Sequence, residues 1–190
     1  AMPVALSWLE AHPNLRIILG INDNGALAAY AAVTRKGKNR ADQFFIGGID
    51  AVDDALQAIA EKRAYQATID QSPRKMGVAS VQTLVAAITG QAVDSTVIIE
   101  STLVDQENLA DFLSSQQTDE EEKSPAFADL DLSGLKIGLT VMNLNNPFFA
   151  AMASAAQNEA DRLGVELVIN DPKPILGVID AQVDNCLLYT

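Results

Sequence analysis

Short apolar runs rich in β-branched residues alternate along this chain with longer stretches of helical periodicity. The candidate strands lie near 15–21, 43–49, 66–69, 95–104, 135–142, 165–169 and 185–189. The other stretches place apolar residues at helix spacing and predict helices near 4–11, 25–36, 51–61, 73–89, 147–163 and 174–182. Strands that alternate with helices in this way predict an α/β fold built on a mainly parallel sheet.

One polar stretch interrupts the alternation. Residues 114–125 have no apolar periodicity and include an acidic run, Asp119 to Glu122. A calcium loop would need a glycine and an alternating spacing of ligands, which this stretch lacks. We therefore predict a solvated acidic linker at 114–133, with one segment before it at 1–113 and another after it at 134–190.

The net charge excludes some partners. The chain carries 25 acidic and 13 basic side chains, for a formal charge of −12. Such a field repels the phosphate backbone of nucleic acids, so we expect no nucleic-acid partner and favour a neutral or cationic small ligand. No apolar run is long enough for a membrane helix, and no signal peptide is visible at the start of the sequence.

The side chains needed for most enzymatic sites are scarce. The single histidine, His12, lies in a predicted helix-to-strand connection, and the single cysteine, Cys186, lies in an apolar strand pattern that suits a buried thiol. Gly47-Gly48 does not continue into a phosphate-binding loop. We therefore expect no enzyme, no metal and no cofactor. An enzyme that uses paired carboxylates such as Asp23 and Asp50 is the remaining catalytic alternative.

Polar and aromatic residues gather where the predicted strands end. Ligands of open α/β sheets bind at the carboxyl ends of the strands. Amides and carboxylates can each satisfy two neighbouring sugar hydroxyls, and an aromatic ring can cover the C–H face of a pyranose. The candidate ligand-binding residues at these ends are Asn22, Asp50, Gln71, Asn146, Phe148 and Phe149.

Each of these residues also has a purely structural interpretation. Asn146 before Pro147 is a typical helix N-cap, and Asp50 is placed to cap the helix at 51–61. The stretch from Asn22 to Gly25 suits a plain turn, while Phe148 and Phe149 suit a core. Both interpretations stay open on the spacing alone.

Longer motifs carry a family resemblance. Residues 139–149 and 156–168 strongly resemble the start of the type I periplasmic sugar-binding proteins, the ribose-binding group in particular, and 183–189 resemble the third strand of that family. The stretches 20–23, 46–50, 67–73 and 107–108 follow in the order of the other end of the same family. The motifs are weak singly and specific as a set.

The resemblance implies a fold and a function. It implies a three-layer α/β/α arrangement in two flavodoxin-like or Rossmann-like lobes that close over one monosaccharide, in a periplasmic receptor that serves an ABC transporter permease. By motif position, Asn146 with Phe148 or Phe149 would contact the sugar from one lobe and Asn22 from the other. Asp50 and Gln71 would lie by the hinge between them.

The order of the two segments is reversed relative to the family, and its middle is missing. We therefore expect a circular permutant, a junction of two fused receptors or a fragment, with a second copy or a complementing chain as a partner. The effector domain of a LacI-type transcription regulator is the alternative function. In an alternative architecture, strands 135–142, 165–169 and 66–69 share one sheet.

Overall fold

The computed structural model of the protein describes residues 1–116, Phe127 and 130–171. These residues form two compact units, each described by itself. Of the described residues, unit 1 comprises 1–71 with 100–116, and unit 2 comprises 72–99 with Phe127 and 130–171. The mixed α/β class with mainly parallel strands is confirmed.

Unit 1 is a four-stranded sheet with helices. Its elements are α1 (Met2–Ala11), β1 (Ile17–Leu19), α2 (Asp23–Arg35), β2 (Phe45–Gly47), α3 (Asp53–Ala60), β3 (Tyr65–Asp70), β4 (Thr102–Asp105) and α5 (Leu109–Gln116). The strand order is β1-β2-β3-β4. β1, β2 and β3 run parallel, and β4 pairs antiparallel with β3. The parallel strands therefore share one carboxyl edge.

The core of unit 1 forms between one face of the sheet and its helices. Ile46 and Tyr65 are fully buried from the strands, as are Val33 from α2 and Ile59 from α3. The other buried positions of α2 are mostly alanine, whose small side chain lets a helix lie close to a sheet. A second cluster joins Leu56, Val104 and Phe112, which holds α5 against α3 and β4.

Unit 2 pairs two helices with a two-stranded parallel sheet. Its elements are α4 (Pro73–Ile88), β5 (Lys136–Thr140), α6 (Pro147–Leu163) and β6 (Glu166–Asn170). The α4–α6 contact is the most extensive contact between elements in the described chain. Gly77 is buried in it, and a Cβ there would overlap the carbonyl oxygen of Met152. Glycine therefore permits the close approach of the two helices.

A hydrogen bond to a buried carboxylate of α6, which is also paired with an arginine of the same helix, joins these two helices. Glu159 of α6 is 5% exposed and accepts hydrogen bonds from Gln82 Nε2 at 2.8 Å and from Arg162 Nε at 2.7 Å. Burial alone would raise the pKa of Glu159, but the bonds from Arg162 and Gln82 and the charge of Arg162 hold that pKa below its usual range. The carboxylate is therefore stabilised in its charged form.

The lowered pKa of Glu159 predicts an acid-dependent stability. The unfolded state binds this proton more tightly, so the stabilisation is present above the ordinary pKa of 4.5 and is lost as the pH falls through the lowered value. We expect Glu159→Gln to lower the free energy of unfolding at neutral pH by about 1–2 kcal/mol and to flatten its pH dependence below 4.5. Urea unfolding at several pH values measures both, and an unchanged slope would contradict the assignment.

Several predicted elements are confirmed within a few residues, and α6 is confirmed with both of its ends. The predicted strand at 95–104 is wrong in extent, since only Thr102–Asp105 forms a strand. β4 pairs with Ala67–Asp70, and β3 ends there, so residues 95–101 have no strand to pair with. The single-sheet alternative is also wrong, because β3 lies in the four-stranded sheet while β5 and β6 form their own.

The predicted linker at 114–133 and the predicted segment boundaries differ from the helices and units of the structure. Helix α5 was not predicted, and it continues through Gln116, so residues 114–116 are helical. The compact units also follow other boundaries than 1–113 and 134–190, because 72–99 belong with unit 2. Most of the linker, the predicted helix at 174–182, the strand at 185–189 and Cys186 lie outside the described residues. Within the described chain, no helix is long and apolar enough to cross a membrane.

Candidate functional site

The carboxyl edge of the unit 1 sheet brings three predicted site residues to neighbouring strand ends. Asn22 follows β1, Asp50 follows β2 and Gln71 follows β3. The ends are joined by backbone hydrogen bonds, since Asp23 N donates to Ile49 O at 2.7 Å and Asp50 N donates to Ile69 O at 2.8 Å. The parallel register therefore collects at one edge residues that lie about fifty positions apart in sequence.

Asn22 is the N-cap of α2. Its Oδ1 accepts a hydrogen bond from Gly25 N at 2.8 Å, and its backbone is extended, with φ −151°. The interpretation of Asn22 to Gly25 as a plain turn is therefore wrong, because these residues form the N-cap and the first turn of a helix. The cap uses only Oδ1, so the Nδ2 group of the same side chain keeps two donors for a ligand.

Asp50 and Gln71 contact each other. Gln71 Nε2 donates to Asp50 Oδ1 at 3.3 Å, and both residues are half-buried. The N-cap of α3 is Val52, so the interpretation of Asp50 as a cap is wrong. Asp50 has φ +117° and Ala51 has φ +51°, a left-handed backbone that is rare for residues with a side chain. Strain of this kind concentrates at functional sites.

Asp23, which the sequence suggested as one of a pair of catalytic carboxylates, has a different role beside the candidate site. It is fully buried, and Oδ1 accepts from Tyr65 OH and from Thr68 Oγ1, each at 2.7 Å, while Oδ2 accepts from Val52 N at 2.9 Å. Burial raises the pKa of Asp23, and hydrogen bonding from Thr68, Tyr65 and the backbone at Val52 and Ala51 opposes that rise. Because it is fully buried and bonded, Asp23 is a structural carboxylate, which removes it from the paired-carboxylate alternative.

Gly48 makes room for this carboxylate. A Cβ at Gly48 would overlap both Asp23 Oδ1 and the hydroxyl of Tyr65. The second glycine of Gly47-Gly48 is therefore required by a close side-chain approach. The sequence contained a signal for this contact, because a glycine at the end of a strand often marks a place where other groups approach the backbone closely.

In unit 2, the loop between β5 and α6 is held by side-chain acceptors. Asn143 Oδ1 accepts from Asn146 N at 3.0 Å, and Asn146 Oδ1 accepts from Phe148 N at 2.9 Å. Asn146 is thus the N-cap of α6, with Pro147 in the first turn. Phe148 and Phe149 are both half-buried and pack edge to face, with ring centroids 5.2 Å apart.

The other chemistry-bearing residues have ordinary roles. His12 is the exposed C-cap residue of α1, and its backbone N–H donates to Trp8 O at 2.8 Å. In the part of the chain that the structure describes, no three histidine, cysteine or carboxylate side chains are grouped to hold a metal ion. The loop assignment of His12 is therefore confirmed.

The first half of the chain matches a known family of protein domains. Residues 1–92, which include the whole carboxyl edge with Asn22, Asp50 and Gln71, match the model of the family described as periplasmic binding protein domain. Over these residues the chain is similar to periplasmic binding protein domains. The type I periplasmic-binding-protein fold predicted from the motifs is confirmed by this match and by solved structures.

Individual periplasmic binding proteins show the same similarity. The chain is 35% identical over 88 residues to a D-ribose/D-allose-binding protein of Pseudomonas aeruginosa, which covers 46% of this chain and 27% of that protein. An ABC transporter solute-binding protein of Actinobacillus succinogenes with bound D-allose is 28% identical, with a TM-score of 0.54 over 58% of this chain and 38% of that one. One of Bacillus halodurans with bound myo-inositol is 30% identical, with a TM-score of 0.54 over 60% and 38%.

The chain spans about a third of the length of the curated periplasmic binding proteins it matches, between 27% and 34%. Ligand contact is predicted for six residues of the chain, Asn22, Asp50, Gln71, Asn146, Phe148 and Phe149. Their binding role stays a prediction.

Proposed function

We propose that the chain binds a small polyhydroxylated ligand, a monosaccharide or a cyclitol, at the carboxyl edge of the unit 1 sheet. The observation that supports this most is the Asp50–Gln71 pair, which joins the ends of two adjacent parallel strands and in which Asp50 has a left-handed backbone. Two relatives of the chain are ribose-binding proteins by name, and two solved neighbours hold D-allose and myo-inositol.

The chemistry of the pair suits hydroxyl recognition. The carboxylate of Asp50 has two oxygens that accept from two neighbouring hydroxyls, and the amide of Gln71 both donates and accepts. Hydrogen bonds to a charged acceptor are about twice as strong as neutral ones. A polyol without charge also avoids the repulsion that an anion would meet from a chain with a net charge of −12.

The cellular role follows from the same relatives. In this proposal the chain is a non-enzymatic periplasmic solute receptor, or a part of one. It delivers its sugar to the membrane permease of an ABC importer. Asn146, Phe148 and Phe149, all in unit 2, are also proposed as ligand-contacting residues. The reversed order of the family's segments is proposed as a permutation or as the junction of two fused receptors.

Titration calorimetry of the full chain with D-ribose, D-allose and myo-inositol tests the proposal. We expect at least one of them to bind, and Asp50→Asn to weaken that binding about tenfold or more, because a charged hydrogen bond contributes about 1.5–3 kcal/mol. Asparagine is the informative replacement, since it tolerates a positive φ and keeps an oxygen for Gln71.

Asp42→Asn is the matched control. Asp42 lies before the other end of β2, where it is exposed and paired with Arg40 at 2.8 Å, so the same chemical change there leaves the carboxyl edge intact. The Asp42→Asn variant should bind the ligand with the same affinity as the unmodified chain. Absence of heat with every ligand, or equal affinity of the Asp50 and Asp42 variants, would refute the proposal.

A further inference from the structure

Two consecutive residues with side chains adopt a left-handed backbone after β2. Asp50 has φ +117° and Ala51 has φ +51°. Each such residue is strained, and the conformation persists only where surrounding contacts hold it. The contacts that hold this loop therefore decide where the carboxylate of Asp50 is placed.

The two backbone amides that follow Asp50 in this loop donate to one threonine and one carboxylate. Ala51 N donates to Thr68 Oγ1 at 3.2 Å, and the next amide, Val52 N, donates to Asp23 Oδ2 at 2.9 Å. The Thr68 hydroxyl in turn donates to Asp23 Oδ1 at 2.7 Å. Thr68 is 1% exposed, so water does not replace these bonds.

The direction of each bond is fixed by the donors available. A threonine hydroxyl has one hydrogen and two lone pairs. The hydrogen goes to Asp23, which leaves the lone pairs to accept from Ala51. The buried carboxylate thus orients the hydroxyl, and the oriented hydroxyl holds the amide next to Asp50. A valine at this position would fill the same volume and supply neither bond.

We propose that Thr68 is a positioning residue for ligand binding: it contacts no ligand itself and, oriented by Asp23, holds the Asp50–Ala51 loop in the geometry that binding requires. The proposal rests on the proposed function, in which Asp50 contacts the ligand. The residues that determine ligand affinity would then include Thr68, a buried residue of β3, the strand next to the one that Asp50 follows.

The first test is a double-mutant cycle in the full chain, read by calorimetry with whichever of D-ribose, D-allose or myo-inositol binds. We expect Thr68→Val to weaken binding about tenfold and Thr68→Ser, which keeps the hydroxyl, to bind within about twofold of the unmodified chain. In the Asp50→Asn background, Thr68→Val should have little further effect, because both changes disable the same contact. Additive effects, or a loss in folded Thr68→Ser as large as in Thr68→Val, would overturn the proposal.

Two additions keep the outcome decisive. Thr68→Cys, whose thiol is a weak acceptor, replaces Thr68→Val if the latter does not fold. Ile46→Val, a core change in the same sheet, should leave affinity unchanged, which separates positioning from a general loss of stability. Equal weakening by Ile46→Val would count against a specific role of Thr68.

The second test needs no ligand and separates this proposal from the function it rests on. Amide hydrogen exchange at Ala51 and Val52 should accelerate at least tenfold in Thr68→Val and stay near the original rate in Thr68→Ser, while the amide of Ile46 is unaffected. If no sugar binds the unmodified chain, the proposed function fails, and the exchange rates still decide whether Thr68 holds the loop. Unchanged exchange at both amides would overturn the positioning role directly.

Discussion

Replacing Asp23 by alanine is expected to lower the free energy of unfolding of unit 1 by about 3–5 kcal/mol. The substitution leaves the hydroxyls of Tyr65 and Thr68 and the amide of Val52 buried without their common acceptor. Unpaired buried donors are destabilising individually, and three occur here together. It also removes the link between β3 and the loops that follow β1 and β2.

Urea unfolding followed by the fluorescence of Trp8 measures this effect. Trp8 is the single tryptophan and lies in α1 of unit 1, so its signal reports on the unit that contains Asp23. Asp42→Ala is the control, since Asp42 is exposed and its pair with Arg40 should contribute less than about 1 kcal/mol. A loss for Asp23→Ala no larger than that of the control would contradict the structural role.

The titration of Asp23 adds a pH signature to the same experiment. Because its pKa is raised in the folded state, the folded chain binds this proton more tightly than the unfolded chain does. Its contribution to stability is therefore fully present below the ordinary value of 3.8 and falls as the pH rises through the raised pKa. Asp23→Ala should lack this component of the pH dependence.

Gly77→Val is expected to destabilise unit 2 by about 3 kcal/mol. Two effects of opposite sign compete at this position. Helix propensity alone would favour replacement of a mid-helix glycine, by at most about 1 kcal/mol. A side chain at Gly77, however, meets the backbone of α6 at Met152 and Ala156, which cannot move aside as a side chain would. Packing should therefore outweigh propensity.

Differential scanning calorimetry of Gly77→Val, Gly77→Ala and Lys75→Ala tests this expectation. Lys75 is exposed on the same helix, so its removal should change stability by less than about 0.5 kcal/mol. Gly77→Ala should be destabilised less than Gly77→Val. A stabilised Gly77→Ala would show that propensity decides and that the α4–α6 contact tolerates a side chain.

The sequence was sufficient for elements with local signals at both ends. Helix α6 begins at Pro147 after the N-cap Asn146, and Gly164 is its C-cap, so the sequence itself contains a signal for each end. Strand β4 lacked such signals. Its length depends on where β3 ends, some thirty residues away, so an apolar run at 95–104 suggested more strand than could pair.

The candidate site likewise has features that the sequence pattern predicts and features that depend on contacts distant in sequence. That Asn22, Asp50 and Gln71 reach one edge follows from parallel strands, which periodicity predicts. The buried acceptor beside them could not be predicted, because the partners of Asp23 lie 29, 42 and 45 positions away. The left-handed backbone at Asp50 could not be predicted either, because no glycine occurs there and contacts with residues distant in sequence hold the conformation.

The packing of α4 against α6 has a consequence for how the chain matures as it leaves the ribosome. The bond between Gln82 and Glu159 joins residues 77 positions apart, so α4 emerges long before its neighbour exists. Contacts so distant in sequence form slowly, because a large loop must close first. Until α6 is translated, the apolar side of α4, with Val81 and Val85, lies open in the nascent polypeptide and is a natural site for chaperone capture.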